Sequence, residues 1–266
     1  MLAIAVCVKA VPDLSLADKI KIDPVTKALS RHEIPLVINP LDRNALEQAL
    51  WLKENQGAHI TVLSMGPPSA GNVVKECLAL GADQGILLSD PAFAGADAYA
   101  TAFTLSMAIK KLGKIDVVFC GRASSDGATE WVGPELAAFL KIPVVTMVRE
   151  LVETKDKSWK IKADIQGGYR IVEVILPAVL TVTHEINKPR TLSFSGIIKS
   201  RKKEITTWEL SDLDMTENQV GLKGSPTIVS ELRVVEKKRT CEIIDGTPEE
   251  KADILIDKLV KAGVLE

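Results

Sequence analysis

At 266 residues, 46% apolar and 26% charged, the chain has the balance of a globular protein, enough for one large α/β domain or a domain with an appendage. A net charge of −2 and an aromatic content of 4% argue against a nucleic-acid binder working through a basic field or a stacking platform. No apolar run approaches the ~18 residues of a membrane span. The four dispersed cysteines form no CxxC pair, which leaves no support for a zinc or iron–sulfur centre and suits a reducing, cytoplasmic compartment.

Leu2–Val8 is a continuous apolar run of strand length. With no basic leader before it and no cleavage pattern after it, it reads as a first strand and not a signal peptide. Arg43–Glu54 places Ala45, Leu46, Ala49, Leu50 and Leu52 at helical spacing. His59–Leu63 is strand-like, Val73–Leu80 is a helix ended by Gly81-Ala82-Asp83, and Ile86–Leu88 is a short buried strand. Ala96–Lys111 reads as a helix, Ile115–Cys120 as the next strand and Trp131–Leu140 as the next helix. Strands alternating with helices, without polar alternation in the strands, predict a doubly wound parallel sheet covered on both faces.

After Ile142 the pattern changes. Val144–Val152, Trp159–Ile165, Tyr169–Val174 and Ala178–Val182 read as strands, with a hairpin signal at Gly167-Gly168, and predict an antiparallel addition to the sheet. From Asn187 onward regular periodicity is lost. Lys199, Arg201, Lys202 and Lys203 form a basic run, Met215–Ser230 has turn composition, and a last helix runs from Pro248 to Ala262, opened by Thr247 and Glu249-Glu250. The division expected is a domain over residues 1–190 and, over 191–266, an extended C-terminal arm. That arm either lies against a partner chain or folds back on its own domain.

Three segments open helices after apolar runs or turns, and each has a binding and a capping reading. In Asp116–Pro134, Gly121 and Gly127 permit close backbone approach, and Ser124, Ser125 and Thr129 supply hydroxyls. Arg122 suits a phosphate or a flavin edge, and Thr129 or Asp126 suits a helix cap. Neither the Rossmann glycine fingerprint nor the Walker lysine is present. In Ser89–Thr101, Asp97 or Thr101 caps a helix or contacts a ligand. In Asn39-Pro40-Leu41-Asp42, Asp42 suits an N-cap and Asn39 a hydrogen bond to a base or ribose. Strand ends at Cys7–Lys9 and Ser64–Gly66 complete the set. In a doubly wound sheet all of these lie along the carboxyl edge, where ligands bind. No serine has a nucleophile elbow around it and no His–Asp pairing is legible, so a free-standing hydrolase has no support.

In this order the segments resemble the beta (small) subunit of electron-transfer flavoproteins. The resemblance is carried by Val8-Lys9, Asn39-Pro40 with Ala45, Glu47 and Ala49, Gly66-Pro67, Ala79–Asp83, and Gly121-Arg122 with Asp126. It continues through Gly167-Gly168, Leu176–Val179 and Asn187-Lys188-Pro189-Arg190. It implies an adenine-nucleotide-binding, Rossmann-like fold in which the loop after Cys120 cradles AMP in ordinary members and a full FAD in electron-bifurcating ones. Asp126-Gly127, Val132-Gly133-Pro134 and Phe93–Asp97 resemble the bifurcating branch and favour FAD, with AMP the alternative. The implied cofactor positions are Cys7, Lys9, Asn39, Asp42, Met65, Gly66, Phe93, Ala94, Asp97, Thr101, Cys120, Gly121, Arg122, Ser124, Ser125, Asp126, Gly127, Thr129 and Val132, with no catalytic or metal-ligating residue. The chain departs from the family at Ala123-Ser124-Ser125, where Gln-Ala-Ile is usual, at Trp131 for a Gln, at Ala128 for an Asp, and at Gln166 for an acidic residue.

The resemblance further implies an electron-carrier subunit. NADH, a transient ligand, would give a hydride to FAD held between Cys7, the Phe93–Asp97 loop and Arg122. One electron would then pass to a second FAD in an alpha subunit serving a flavin-dependent dehydrogenase, and one to ferredoxin, or the reverse. Phe194, beyond Pro189-Arg190, would anchor a partner-docking loop. An alternative of another class is a nucleotide-sensing module like the stress-response ATP binders.

Overall fold

The computed structural model describes residues 1–13, 15–16, 21–22, 29–30, 34–155, 157–230 and 241–265, with backbone alone at 21–22 and 29–30. It divides into two compact units, Met1–Ser230 and Glu231–Glu266. Of the expected arm, residues 231–240 and 266 lie outside the described residues.

In chain order the first unit begins with β1 (Leu2–Cys7), β2 (Ala10–Pro12), β3 (Lys21–Ile22), β4 (Leu29–Ser30) and β5 (Leu36–Ile38). It continues with α1 (Pro40–Gln56), β6 (Ala58–Met65), α2 (Gly71–Leu80), β7 (Gln84–Leu88), α3 (Ala98–Leu112), β8 (Val117–Gly121) and α4 (Val132–Leu140). Then follow β9 (Val144–Lys155), β10 (Ser158–Ile165), β11 (Gly168–Ile175), β12 (Ala178–Val182), α5 (Phe194–Ser200) and β13 (Ile205–Trp208). The second unit holds α6 (Pro248–Lys261), where Thr247 and Glu250 form the reciprocal capping box expected of Ser/Thr three residues before Glu. Among the described residues no helix is long and apolar enough to cross a membrane.

Among the described residues nine strands form one sheet in the order β11-β10-β9-β12-β8-β1-β6-β7-β13. All neighbours from β9 to β13 in that order pair parallel, while β9, β10 and β11 form the antiparallel addition. Strand alternation sends side chains to two cores. Ile4, Val6 and Val8 join Leu46, Leu50, Val73 and Leu78 of α1 and α2, whereas Ala5 and Cys7 join Ala102, Leu105, Leu136 and Ala137 of α3 and α4. The apolar positions read at helical spacing in α1 are all buried, and each such leucine stabilises the fold by roughly 2 kcal/mol.

Two of the motif stretches that carried the family resemblance turn out to be partners. Asn44 donates to the Asn187 carbonyl at 2.9 Å and Asn187 donates back to the Asn44 carbonyl at 3.1 Å. Arg190 forks onto Glu47 at 2.9 Å and reaches Glu54 at 2.6 Å, so the segment leaving β12 is fastened along α1. Beyond it the chain is more regular than its sequence suggests. Residues 194–200 form α5, and β13 pairs parallel with β7, extending the sheet by a strand. Lys203, at the end of the basic run, is not freely solvated: it donates to the Ala82 carbonyl, and burial lowers its pKa.

Candidate functional site

The chain leaves β1 toward β6 and β7 on one side, and later returns to place β8 on the other. This reversal, between β1 and β8, is where doubly wound sheets bind ligands. Asp42 sits on it. From the first turn of α1, its buried carboxylate accepts the Lys9 amide at 2.8 Å and the Gly121 amide at 2.9 Å, joining the ends of β1 and β8. Burial pushes its pKa up to about 6, against the lowering pull of hydrogen bonds from Lys9, Asn39 and Gly121. Asp42 is therefore not the N-cap expected. Asn39 holds the cap position, and its side chain does not cap either. Its amide donates to the Ala123 carbonyl at 2.9 Å and accepts from the Ser125 amide at 3.0 Å. Both ends of that amide clamp the loop backbone, each with further hydrogen-bonding capacity left. Gly121 is likewise needed by its own chain: a Cβ there would lie 2.5 Å from Asp42 Oδ1.

Above this floor the Arg122–Trp131 loop is open. Ser125, Gly127 and Thr129 are exposed. Lys9 Nζ reaches across to Asp126 at 2.6 Å and to Ser124 Oγ at 3.4 Å. Ser124 Oγ accepts the Gly127 amide at 3.3 Å. Ala128 (φ +47°) and Glu130 (φ +62°) are left-handed, a conformation disfavoured for both. Neither Thr129 nor Asp126 caps α4. Trp131 stands at the cap position without a side-chain bond, and Thr129 Oγ1 only accepts its amide, at 3.5 Å. Arg122 lies half-buried, its Nε 3.2 Å from Glu130 Oε1 without hydrogen-bond alignment, so the Nε–H has no acceptor. Val132 opens α4, and Gly133 fits its first turn against Thr181, where a Cβ would come within 2.3 Å.

The Phe93–Asp97 stretch behaves differently. Phe93 is buried, its ring packed in the second core with Leu88, Leu213 and Val220. Asp97 caps α3, as one of its readings held: Oδ1 accepts the Ala100 amide at 3.0 Å. Its other oxygen accepts the Thr227 hydroxyl at 2.7 Å and amide at 3.0 Å. Burial alone would raise its pKa, but these bonds hold it below the ordinary range. The Ala94 carbonyl accepts the Leu222 amide at 2.9 Å, and Thr101 donates its amide to the Asp97 carbonyl at 3.0 Å.

Cys7 and Cys120 are buried at the ends of β1 and β8. Burial, reinforced by Asp42, pushes the Cys7 thiol up to about 12, and Cys120 is raised likewise, so both are inert packing thiols at neutral pH. Met65 ends β6 half-buried, and the Gly66 amide donates to the Leu88 carbonyl at 3.0 Å. Sequence reasoning had brought most of these residues to one edge. It missed the Asn39 and Asp42 clamps, and it missed Met147, whose sulfur lies 3.9 Å from Arg122 Nη1. The arrangement has the elements an anionic dinucleotide needs: Arg122 beside Glu130, Lys9 beside Asp126 and exposed hydroxyls stand over the buried Asp42 at the switch point.

A family model described as the electron transfer flavoprotein domain matches residues 26–213. The chain is 47% identical to the electron transfer flavoprotein subunit beta of Clostridium acetobutylicum, over 96% of its own length and 97% of that protein's. It is 42% identical to the caffeyl-CoA reductase-Etf complex subunit CarD of Acetobacterium woodii, over 98% and 99% of the two chains. To the acryloyl-CoA reductase electron transfer subunit gamma of Anaerotignum propionicum it is 38% identical, again over 98% and 99%.

Proposed function

The chain belongs to the electron transfer flavoprotein family, whose beta subunits it resembles over nearly its whole length, and from that premise we propose that it binds FAD across the strand tips and takes part in NAD(H)-linked electron bifurcation or confurcation. The proposed assembly is a heterodimer with an alpha subunit, in the cytoplasm, working with ferredoxin and a flavin-dependent dehydrogenase. Two relatives whose names speak of a caffeyl-CoA reductase and an acryloyl-CoA reductase support an oxidoreductase as the last partner. Residues 1–190 would form the nucleotide domain and 191–266 the docking segment. Phe194, 80% exposed, is its anchor, although it opens the short helix α5 and does not sit in a loop.

When bound, FAD supplies the exchange between two-electron and one-electron transfer, and the protein sets its place and charge environment. The observation that carries the proposal is the β8 loop, pinned at its base by Asn39 and Asp42 and carrying the half-buried Arg122, whose buried Nε–H has no hydrogen-bond acceptor. Arg122 and Lys9 would oppose phosphate charge in exchange for their contacts with Glu130 and Asp126, and Ser125 and Thr129 offer hydroxyls. An AMP reading has one observation in its favour: Phe93 is buried and Asp97 is already partnered, which concentrates contacts on the β8 side. Acid extraction of the co-expressed heterodimer, with chromatography of the released nucleotides, separates the two. The FAD proposal expects a second flavin per heterodimer and no AMP. One flavin together with AMP would overturn it.

A further inference from the structure

β9 carries one residue too many for its partner. Leu180 of β12 faces Val145 and Val182 faces Val148, so two steps on β12 are matched by three on β9. Such a bulge re-aims a side chain, and bulges collect next to functional sites. Met147 absorbs it, with φ +60°, a left-handed conformation in the middle of a strand. For a long, flexible residue that conformation is costly, and glycine or asparagine would hold it more easily. The surroundings lock it in place. The Met147 amide donates to Thr181 Oγ1 at 3.3 Å, and the ladder resumes with the Thr183 amide on the Val148 carbonyl at 2.9 Å.

What the bulge gains is a direction. The Met147 thioether comes to 3.9 Å from Arg122 Nη1, while the Arg122 amide is held by the Val182 carbonyl at 2.9 Å. The one carboxylate beside Arg122 in its own loop, Glu130, is half exposed and poorly aligned, and exposed pairs of that kind fix a side chain weakly. A soft, polarizable thioether against the guanidinium restricts the arginine without neutralising it or occupying its Nε–H.

We propose that Met147 is a positioning residue: the β9 bulge exists to hold Arg122 in the orientation that meets the nucleotide. This rests on the nucleotide-binding reading of the β8 loop and adds to it the device that pre-orders its cation.

The test is a double-mutant cycle on the co-expressed heterodimer, combining Met147→Gly with Arg122→Gln and reading the dissociation constant of whichever nucleotide the wild-type complex releases. Met147→Gly should weaken binding about tenfold when Arg122 is present and less than about twofold in the Arg122→Gln background. Glycine also suits the left-handed backbone, so resistance to urea should not fall in parallel with affinity. Met147→Asn, which tolerates the same backbone and is shorter than methionine, should reproduce the result if the glycine variant does not fold. Equal loss in both backgrounds, or no loss in either, overturns the proposal. The identity of the released nucleotide, FAD or AMP, judges the functional reading separately, because the cycle is read on either one.

Discussion

The loops that follow β7 and β8 draw on the same residue types, small side chains with aspartates and a glycine, yet they use them in opposite ways. In Ser89–Asp97 the polar groups turn inward. Asp90 binds the Ala92 and Leu210 amides, Asp97 binds Ala100 and Thr227, and Phe93 fills the core. In Arg122–Trp131 the base is clamped from outside the loop by Asn39 and Asp42, the tip is left open at Ser125, Gly127 and Thr129, and the buried Arg122 Nε–H has no acceptor. Composition therefore does not separate a loop that turns inward from one that stays open. What separates them is where the hydrogen-bonding capacity is already spent.

The largest expected effect lies at the floor of the β8 loop. Asp42→Ala removes the acceptor shared by the Lys9 and Gly121 amides and should cost about 3 kcal/mol in urea unfolding; a cost below about 1 kcal/mol would mean the strand tips hold without it. The pH dependence has a definite sign. Asp42 has a folded pKa of about 6, above the unfolded carboxylate value, so the folded state binds its proton more tightly. The stability this contributes is complete below about pH 4 and is lost as pH rises to about 6. Relative to Asp42→Asn, the wild type should lose about 2 kcal/mol across that window and stay level above it. A difference that is flat from pH 4 to 7 contradicts this.

Next in size, Arg122→Gln should weaken nucleotide binding at least tenfold while changing stability by no more than about 0.5 kcal/mol. Smallest is Asp97→Ala, which should lower stability by about 1 kcal/mol through loss of the α3 cap and leave nucleotide affinity within twofold. If Asp97→Ala instead strips the nucleotide from a stable protein, the contrast between the two loops is wrong.

Much of this fold is legible without coordinates. The helical spacing of Ala45, Leu46, Ala49, Leu50 and Leu52 finds α1, and the apolar runs find β1, β6, β7, β8 and β12. The failures have physical causes. A local rule gave Asp42 to helix capping, but the competing donors come from residues 33 and 79 positions away, which no window contains. Phe93 sits in a strand–loop–helix pattern that is the same whether its ring points in or out. β13 escaped because its middle residues, Thr206 and Thr207, are exposed and polar, as an edge strand allows. α5 escaped although Phe194, Ile197 and Ile198 stand at i, i+3 and i+4, because a seven-residue helix is shorter than the window over which that spacing is read. Met147 carries no sequence mark at all, since a bulge is defined by pairing and not by composition.

The central claim is that the nucleotide is held by the β8 loop and only walled by the β7 loop. Amide hydrogen exchange on the heterodimer, compared with its nucleotide bound and after stripping, tests it directly. The expected result is strong added protection over residues 122–130 with little change over 90–97. Protection gained over 90–97 and none over 122–130 would contradict it.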